Sequence, residues 1–233
     1  MTLRKKPRLE REAVAARAAL ELTDGAVVNL GIGIPTLASQ FVPREKGVLF
    51  HSENGVLGFG PLAEQGEQDA DLINASLQFI APVPGMAYFD SVAAFEMIRG
   101  GHVDVAILGA LQVSERGDLA NWRLPSRAVG NIGGAMDLVA GARRIIVAME
   151  HTDNNDGPKV LPACTYPLTG RECVSLIVTD LAVIEVVGGG MRGASPPRGL
   201  LLREVAPGWS PEEVQALTGA RLQPARDLRQ IRL

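Results

Sequence analysis

Apolar side chains recur at Val14, Ala18 and Leu22 within residues 10–22. This i, i+4, i+8 spacing gathers one face of an α-helix, and Gly25 is placed to end it. Residues 26–30 (AVVNL) form a short apolar run that predicts a buried strand, leading into the turn Gly31-Ile32-Gly33-Ile34-Pro35. Residues 36–41 predict one or two turns of helix stopped by Pro43. Residues 48–51 predict a strand that runs at once into Ser52-Glu53-Asn54-Gly55. Between 59 and 85 Gly and Pro are so frequent that irregular loops around a short strand are expected. Residues 91–98 read as helix, closed by Gly100 and Gly101. Within 103–108, Val103, Val105 and Ile107 share one face, the period-two signature of a strand. Further β-branched runs fill 145–149, 175–179 and 182–187. Ser210-Pro211-Glu212-Glu213 is a capping box with Pro at the first helical position, so 214–218 should continue a short helix.

Helices alternate with buried strands, which defines an α/β class with an open, mostly parallel sheet flanked by helices. A single domain is expected over residues 10–220, between a basic tail at 1–9 and a charged tail at 221–233 that reads as solvated surface or a subunit contact. The chain has 233 residues, of which 46% are apolar, too many for intrinsic disorder. A net charge of −3 excludes a chain-wide basic footprint, so no nucleic-acid partner is expected. No apolar run approaches about 18 residues, so no membrane span is expected. Arg17 and Glu21 interrupt the segment where a secretory signal needs an unbroken apolar stretch. Two cysteines, Cys164 and Cys173, are too few for a disulfide framework and read as packing residues. A cytoplasmic location is the expectation.

Three segments carry candidate chemistry. Gly31 and Gly33 follow a strand, where small residues bring backbone N–H groups close to a phosphate or carbonyl oxygen. A dinucleotide fingerprint needs glycine where Thr36 stands, so a plain strand-to-helix turn competes with that reading. Glu53 lies just beyond a strand, where ligands of open parallel sheets bind. An ionised carboxylate there can act as a nucleophile, whereas the alternative is an ordinary turn with Glu53 in solvent. In residues 130–137 (GNIGGAMD), Gly133, Gly134 and Ala135 leave the backbone uncovered, as suits an oxyanion hole or equally a flexible turn. His51, His102 and His151 are scattered, and the spacing in Glu150-His151-Thr152-Asp153 does not match a helical zinc site, so no metal is expected.

Taken together, the segments NLGIGIP (29–35), SENGVLGFGP (52–61), DADLINA (69–75), PGMAYFDS (84–91), MIRGGHVDVAILGALQVSERGDLANW (97–122), GGAMDLVAGARR (133–144), MEHT (149–152) and TDLAV (179–183) resemble one family. It is the small, B-type subunit of the family I coenzyme A transferases, the 3-oxoacid and acetate CoA-transferases. The likeness runs from about residue 10 to about residue 220 with the order of blocks preserved.

The resemblance implies a CoA-transferase-like α/β fold, a partner A-type (alpha) subunit, and acyl-CoA and carboxylic acid substrates. Coenzyme A is implied as a substrate, with no permanently bound cofactor. The glutamate of the SENG motif falls on Glu53 and is implied as the nucleophile of a ping-pong cycle through an acyl–glutamyl anhydride and a glutamyl–CoA thioester. Gly133, Gly134 and Ala135 are then the candidate oxyanion donors, and Asn29, Gly31, Gly33 and Asn54 the candidate CoA and substrate contacts. Where many 3-oxoacid enzymes carry a lysine after the LINA segment, this chain has Leu77, which removes one cation for an anionic substrate. Arg123, Arg127, Arg143 and Arg144 are the available replacements. The stretch 219–233 looks closer to the acetate branch. The alternative to an enzyme is a non-catalytic α/β domain that senses a CoA-like or phosphorylated ligand.

Overall fold

A computed structural model of the chain describes residues 6–188 and 199–233. In chain order the elements are α1 (Arg11–Ala19), β1 (Val27–Leu30), α2 (Ile34–Leu37), β2 (Leu49–Ser52), β3 (Val56–Leu57), β4 (Ala87–Tyr88), α3 (Ser91–Arg99), β5 (Val105–Leu108), β6 (Gln112–Ser114) and β7 (Leu119–Ala120). There follow α4 (Ala135–Gly141), β8 (Arg144–Met149), β9 (Val160–Leu161), β10 (Val174–Thr179), β11 (Ala182–Val187), β12 (Gly199–Val205), α5 (Pro211–Ala216) and β13 (Leu222–Gln230). Among the described residues ten strands form a sheet in the order β13-β12-β11-β10-β8-β5-β1-β2-β3-β4. Its five middle neighbours, β10-β8-β5-β1-β2, are all parallel. The margins are antiparallel, with β3 and β4 on one side and β11 and β12 on the other. The sheet is therefore mixed around a parallel heart. A small second sheet, β7-β6-β9, lies apart.

Helices cover both faces because the central strands are apolar on both faces. β8 shows this directly: Ile145, Val147 and Met149 enter one core, and Ile146 and Ala148 the other. The first core is closed by Ile98 of α3, Leu138 of α4 and Val214 of α5. The second is closed by Val14 and Ala18 of α1 and by Ile34 of α2. The helical stripe read from Val14, Ala18 and Leu22 is thus the buried face of α1. At α5 the capping box forms in full: Ser210 Oγ accepts from Glu213 N at 3.3 Å, and Glu213 Oε2 accepts from Ser210 N at 2.8 Å.

The structure differs from expectation at both ends and in two loops. The charged stretch 221–233 is no free tail, because β13 pairs in parallel with β12 as the sheet edge. Residues 1–5 of the expected N-terminal tail lie outside the described residues. Residues 6–9 pack down: Trp209 Nε1 donates to Pro7 O at 2.8 Å, and Leu9 N donates to Asp180 O at 3.0 Å. Residues 59–85 hold only isolated bridges, Leu62 with Ile80 and Ile73 with Phe79, in place of the short strand expected there. The glycine-rich segment 133–134 opens a helix, α4.

Away from Glu53, two buried ionisable side chains, Arg17 and His151, are each met by polar partners. Arg17, inside α1 and 6% exposed, donates to both carboxylate oxygens of Glu204, itself 3% exposed. Burial pushes the Glu204 carboxyl upward, but hydrogen bonds from Arg17 and Arg229 outweigh it and hold the group below the ordinary carboxylate range. His151 is fully buried between two hydroxyls, with Nδ1 2.9 Å from Thr179 Oγ1 and Nε2 2.9 Å from Thr218 Oγ1. Thr218 donates its own hydroxyl hydrogen to Val214 O, so it accepts from Nε2–H. Burial pushes its pKa down to about 4; the charges of Arg8 and Lys159 act in the same direction, and Asp180 opposes them.

Candidate active site

β1, β2 and β5 are adjacent and parallel, so their carboxyl ends open on one edge. Leu30 leads there into Gly31, Ser52 into Glu53, and Leu108 into Gly109. Gly31, Glu53, Leu108 and Gly109, with Asn121, Asn131 and the 132–135 loop, line a cavity of about 280 Å³. Glu53 is the only charged side chain in that lining among the described residues.

Glu53 is held by its neighbours on the parallel pair. Asn29 of β1 stands in register with His51 of β2, two residues before Glu53. Asn29 is fully buried, and its Nδ2 lies 3.1 Å from Glu53 Oε2, 3.3 Å from His51 O and 3.2 Å from His51 Nδ1. Burial pushes the His51 pKa down, while the Glu53 charge pulls it the other way. The turn that carries Glu53 needs glycine at its fourth position. Gly55 has φ +115°, and a Cβ there would lie 2.0 Å from Phe89 O. Phe89 N in turn donates to Gly55 O at 3.0 Å, which fastens the turn to the segment before α3.

The glycine-rich loop arrives from the other side. Gly134 is the N-cap of α4, with φ −85°, and a Cβ on it would lie 3.7 Å from Glu53 Oε1 and 3.2 Å from the Phe95 ring. Bare backbone therefore stands beside the carboxylate. Ala135 N–H is already engaged, donating to Ile132 O at 3.1 Å.

Of the residues singled out in the sequence, Glu53, Asn29, Gly31, Gly133, Gly134 and Ala135 converge here. Gly33 and Asn54 do not line the cavity. Gly33 turns the chain into α2 at φ +95°, and Asn54 Nδ2 reaches away to Ile73 O at 2.8 Å. The four candidate arginines also lie outside the lining. Arg143 pairs with Asp104 and Arg144 with Glu21. Leu77 is 78% exposed on the 74–78 loop, which abuts α2 through Ser76 Oγ, 2.9 Å from Thr36 Oγ1. Sequence reasoning missed Asn121 as a lining residue and His51 as a contact of Asn29, and it flagged the 130–137 segment without giving Asn131 a role. The regular β1–β2 register was the available signal for His51, whereas nothing local marks Asn121. Among the described residues no cluster of His, Cys, Asp and Glu is arranged to hold a metal ion. A roomier cavity of about 470 Å³ surrounds Arg17 and Glu204, but its charged lining is occupied in ion pairs.

A carboxylate at a parallel-sheet edge, beside a buried amide donor and an uncovered backbone, defines a site suited to acyl transfer. Comparison with known proteins makes that class specific. The sequence model of the family described as coenzyme A transferase matches residues 11–217, and the chain belongs to that family. Within it, the chain is 50% identical over 195 residues to the B-type subunit of the probable succinyl-CoA:3-ketoacid coenzyme A transferase of Bacillus subtilis (strain 168), covering 84% of this chain and 90% of that one. It is 47% identical to the B-type subunit of the 3-oxoadipate CoA-transferase of Pseudomonas putida, covering 95% and 99%. In fold it is similar to the acyl-CoA transferase of E. coli O157:H7, solved as a thioester complex with CoA. The TM-score is 0.72 at 19% identity, over 97% of this chain and 44% of the solved one.

Proposed function

We propose that this chain is the B-type subunit of a two-subunit enzyme that moves coenzyme A between carboxylic acids, with Glu53 as the nucleophile. The observation that carries this reading is the Glu53 carboxylate fixed by Asn29 in the cavity, with the Gly134 backbone at its other oxygen. A carboxylate oxygen of Glu53 attacks the acyl-CoA thioester carbonyl. The C–S bond breaks, and its electron pair leaves with sulfur as CoA thiolate. The thiolate then attacks the Glu53 Cδ of the resulting anhydride, whose bond to the acyl oxygen breaks and releases the first acid. Glu53 now carries CoA as a thioester. A second carboxylate enters and reverses both steps, departing as the new acyl-CoA.

Each attack passes through a tetrahedral oxyanion, so donors fixed beforehand lower every barrier in the cycle. Asn29 Nδ2 and the backbone N–H groups of Gly133 and Gly134 are the donors assigned here, because Ala135 N–H is spent on its own turn. No other charged side chain lines the cavity among the described residues, so an A-type partner is assigned both the closing wall and the cation for an acidic substrate. The names of the relatives favour a 3-oxo acid over acetate as one of the acids. Coenzyme A enters as a substrate. Burial raises both Cys164 and Cys173 to about 12, which keeps them as thiols.

The test is covalent trapping. The chain is co-expressed with the A-type subunit of the same source and incubated with succinyl-CoA or acetoacetyl-CoA, then treated with hydroxylamine or borohydride and digested. The expected result is modification at Glu53 with loss of turnover, and neither in Glu53→Gln. Turnover by the wild-type complex with Glu53 unmodified would overturn the mechanism.

A further inference from the structure

Asn29 Nδ2 meets three neighbours within 3.3 Å: Glu53 Oε2, His51 O and His51 Nδ1. The carboxylate and the main-chain carbonyl only accept, so the NH2 end of the Asn29 amide faces them. His51 Nδ1 faces the same NH2 group, and a hydrogen bond there needs its lone pair, which puts the ring proton on Nε2, a buried atom with no hydrogen-bond partner among the described residues. The ring is 1% exposed and stacks on Phe89 with centroids 6.0 Å apart, so it has little room to turn away. At the other end of the amide, the buried Asn29 Oδ1 has no hydrogen-bond partner among the described residues. Nothing on that side holds the amide, and its orientation is set by what surrounds the nitrogen.

We propose that His51 is a positioning residue for Glu53: the lone pair on its Nδ1 keeps the Asn29 NH2 group turned toward residue 53 throughout the covalent cycle. The inference rests on Glu53 being the nucleophile. While Glu53 is a carboxylate, its own charge attracts the NH2 group. Once it carries an acyl group or CoA it is neutral, and that attraction falls. The contacts from His51 do not change between these states. They keep the donor aimed while thiolate or carboxylate attacks the Glu53 Cδ and the negative charge builds on its carbonyl oxygen. His51 transfers no proton in this scheme. A donor already in place stabilises the oxyanion without reorganisation at the moment of reaction.

The test uses the complex co-expressed with its A-type partner, with succinyl-CoA as the probe. His51→Leu removes the acceptor, and His51→Asn returns an oxygen close to the Nδ1 position. His51→Leu is expected to lower kcat by about tenfold to hundredfold, the range for losing a hydrogen bond to a charged centre, with KM for succinyl-CoA within about twofold. His51→Asn should return kcat to within about threefold of the wild type, with trapped adduct forming at matching rates. If His51→Leu does not assemble, His51→Gln replaces it, since its amide lies one methylene further out and misses the Nδ1 position. Equal adduct rates in the wild type and in the Leu or Gln variant would overturn the role of His51 alone. So would a His51→Asn enzyme no faster than that variant. A wild-type complex that turns over without any adduct at Glu53 overturns the nucleophile assignment, and the positioning role with it.

Discussion

Asn29 and Glu53 are 24 positions apart in the chain, yet their side chains meet at 3.1 Å. The cause is sheet register. Parallel pairing of β1 with β2 sets Asn29 opposite His51, so the first residue beyond β2 falls beside the same amide. A fully buried side chain of β1 thereby holds a carboxylate that lines the cavity. The turn that carries Glu53 is tied to rigid elements of the sheet.

Asn29→Ala removes a donor to that carboxylate. Turnover is expected to fall about tenfold to hundredfold, the cost of a hydrogen bond to a charged group. Asn29→Asp is expected to be slower still at neutral pH, because it sets an anionic oxygen against Glu53 Oε2 and His51 O. Steady-state kinetics of the two variants check the order; an Asp variant faster than the Ala variant refutes the donor role.

Gly55→Ala should fail for steric reasons. Its Cβ would stand 2.0 Å from Phe89 O at a φ of +115°, so the turn carrying Glu53 must move or the β3–β4 pairing must open. The conformational strain alone is about 1–3 kcal/mol. Lowered urea midpoint and lost activity are both expected, and an unchanged midpoint refutes the account.

Gly134→Ala separates activity from stability. Its φ of −85° suits any residue, and the nearest atoms to a new Cβ are the Phe95 ring at 3.2 Å and Glu53 Oε1 at 3.7 Å. A stability change of about 1 kcal/mol or less is expected, because the Phe95 ring edge must give by only a few tenths of an ångström. Turnover should drop by more than tenfold, since the methyl group stands beside the nucleophile and misplacement near 1 Å is worth about 100-fold. Measured kcat beside the urea midpoint decides; equal losses in both would assign Gly134 to packing alone.

Periodicity was a sound guide wherever a segment is buried on a regular face. The α1 stripe and β5 follow from it, while apolar runs marked β1, β2, β8, β10 and β11 and a capping box marked α5. Periodicity failed at β13. There the apolar positions Leu222, Ala225, Leu228 and Ile231 recur every third residue, because β13 fits extra residues opposite β12 between the Leu202–Pro224 and Glu204–Arg229 pairs. No strand period survives such a bulge, and the charged residues between read as solvent-facing. The site divides in the same way. Glu53, Asn29 and Gly134 stand in recognisable segments, but which glycines line the cavity depends on tertiary approach. That is why Gly31 does so while Gly33 and Asn54 do not. Likewise the arginines at 143 and 144 were legible as cations but not as partners of Asp104 and Glu21.

His151 gives the fold a pH dependence whose sign is fixed. Its pKa is about 4 in the folded chain against an ordinary value of 6.5, so folding favours the neutral ring. Its contribution is complete above pH 6.5 and is lost as pH falls from 6.5 through 4. The difference amounts to about 3 kcal/mol. The ring resonances of His151 should therefore show no titration between pH 7.5 and 5.5. Urea midpoints should fall less steeply over pH 6.5–4 in His151→Gln than in the wild type. A ring that titrates near 6.5 contradicts the burial argument.

Arg17 breaks the apolar run of α1, and its guanidinium meets Glu204 inside the protein at 2.7 Å. Removing Arg17 leaves the Glu204 carboxylate stranded with the exposed Arg229 as its one remaining cation among the described residues, so Arg17→Met is expected to cost about 1.5–3 kcal/mol, the range for hydrogen bonds to a charged group. Arg229 reaches the same carboxylate at 2.7 Å but is 69% exposed, so Arg229→Ala should cost about 1 kcal/mol or less. Adding Glu204→Leu to Arg17→Met removes the stranded carboxylate and should recover most of the loss, since a paired buried ion contributes little over an apolar replacement. Urea unfolding of the single and double variants measures the coupling. Additive losses would mean that the two residues stabilise the chain independently, and the ion pair would then be incidental to the packing of α1 against the sheet.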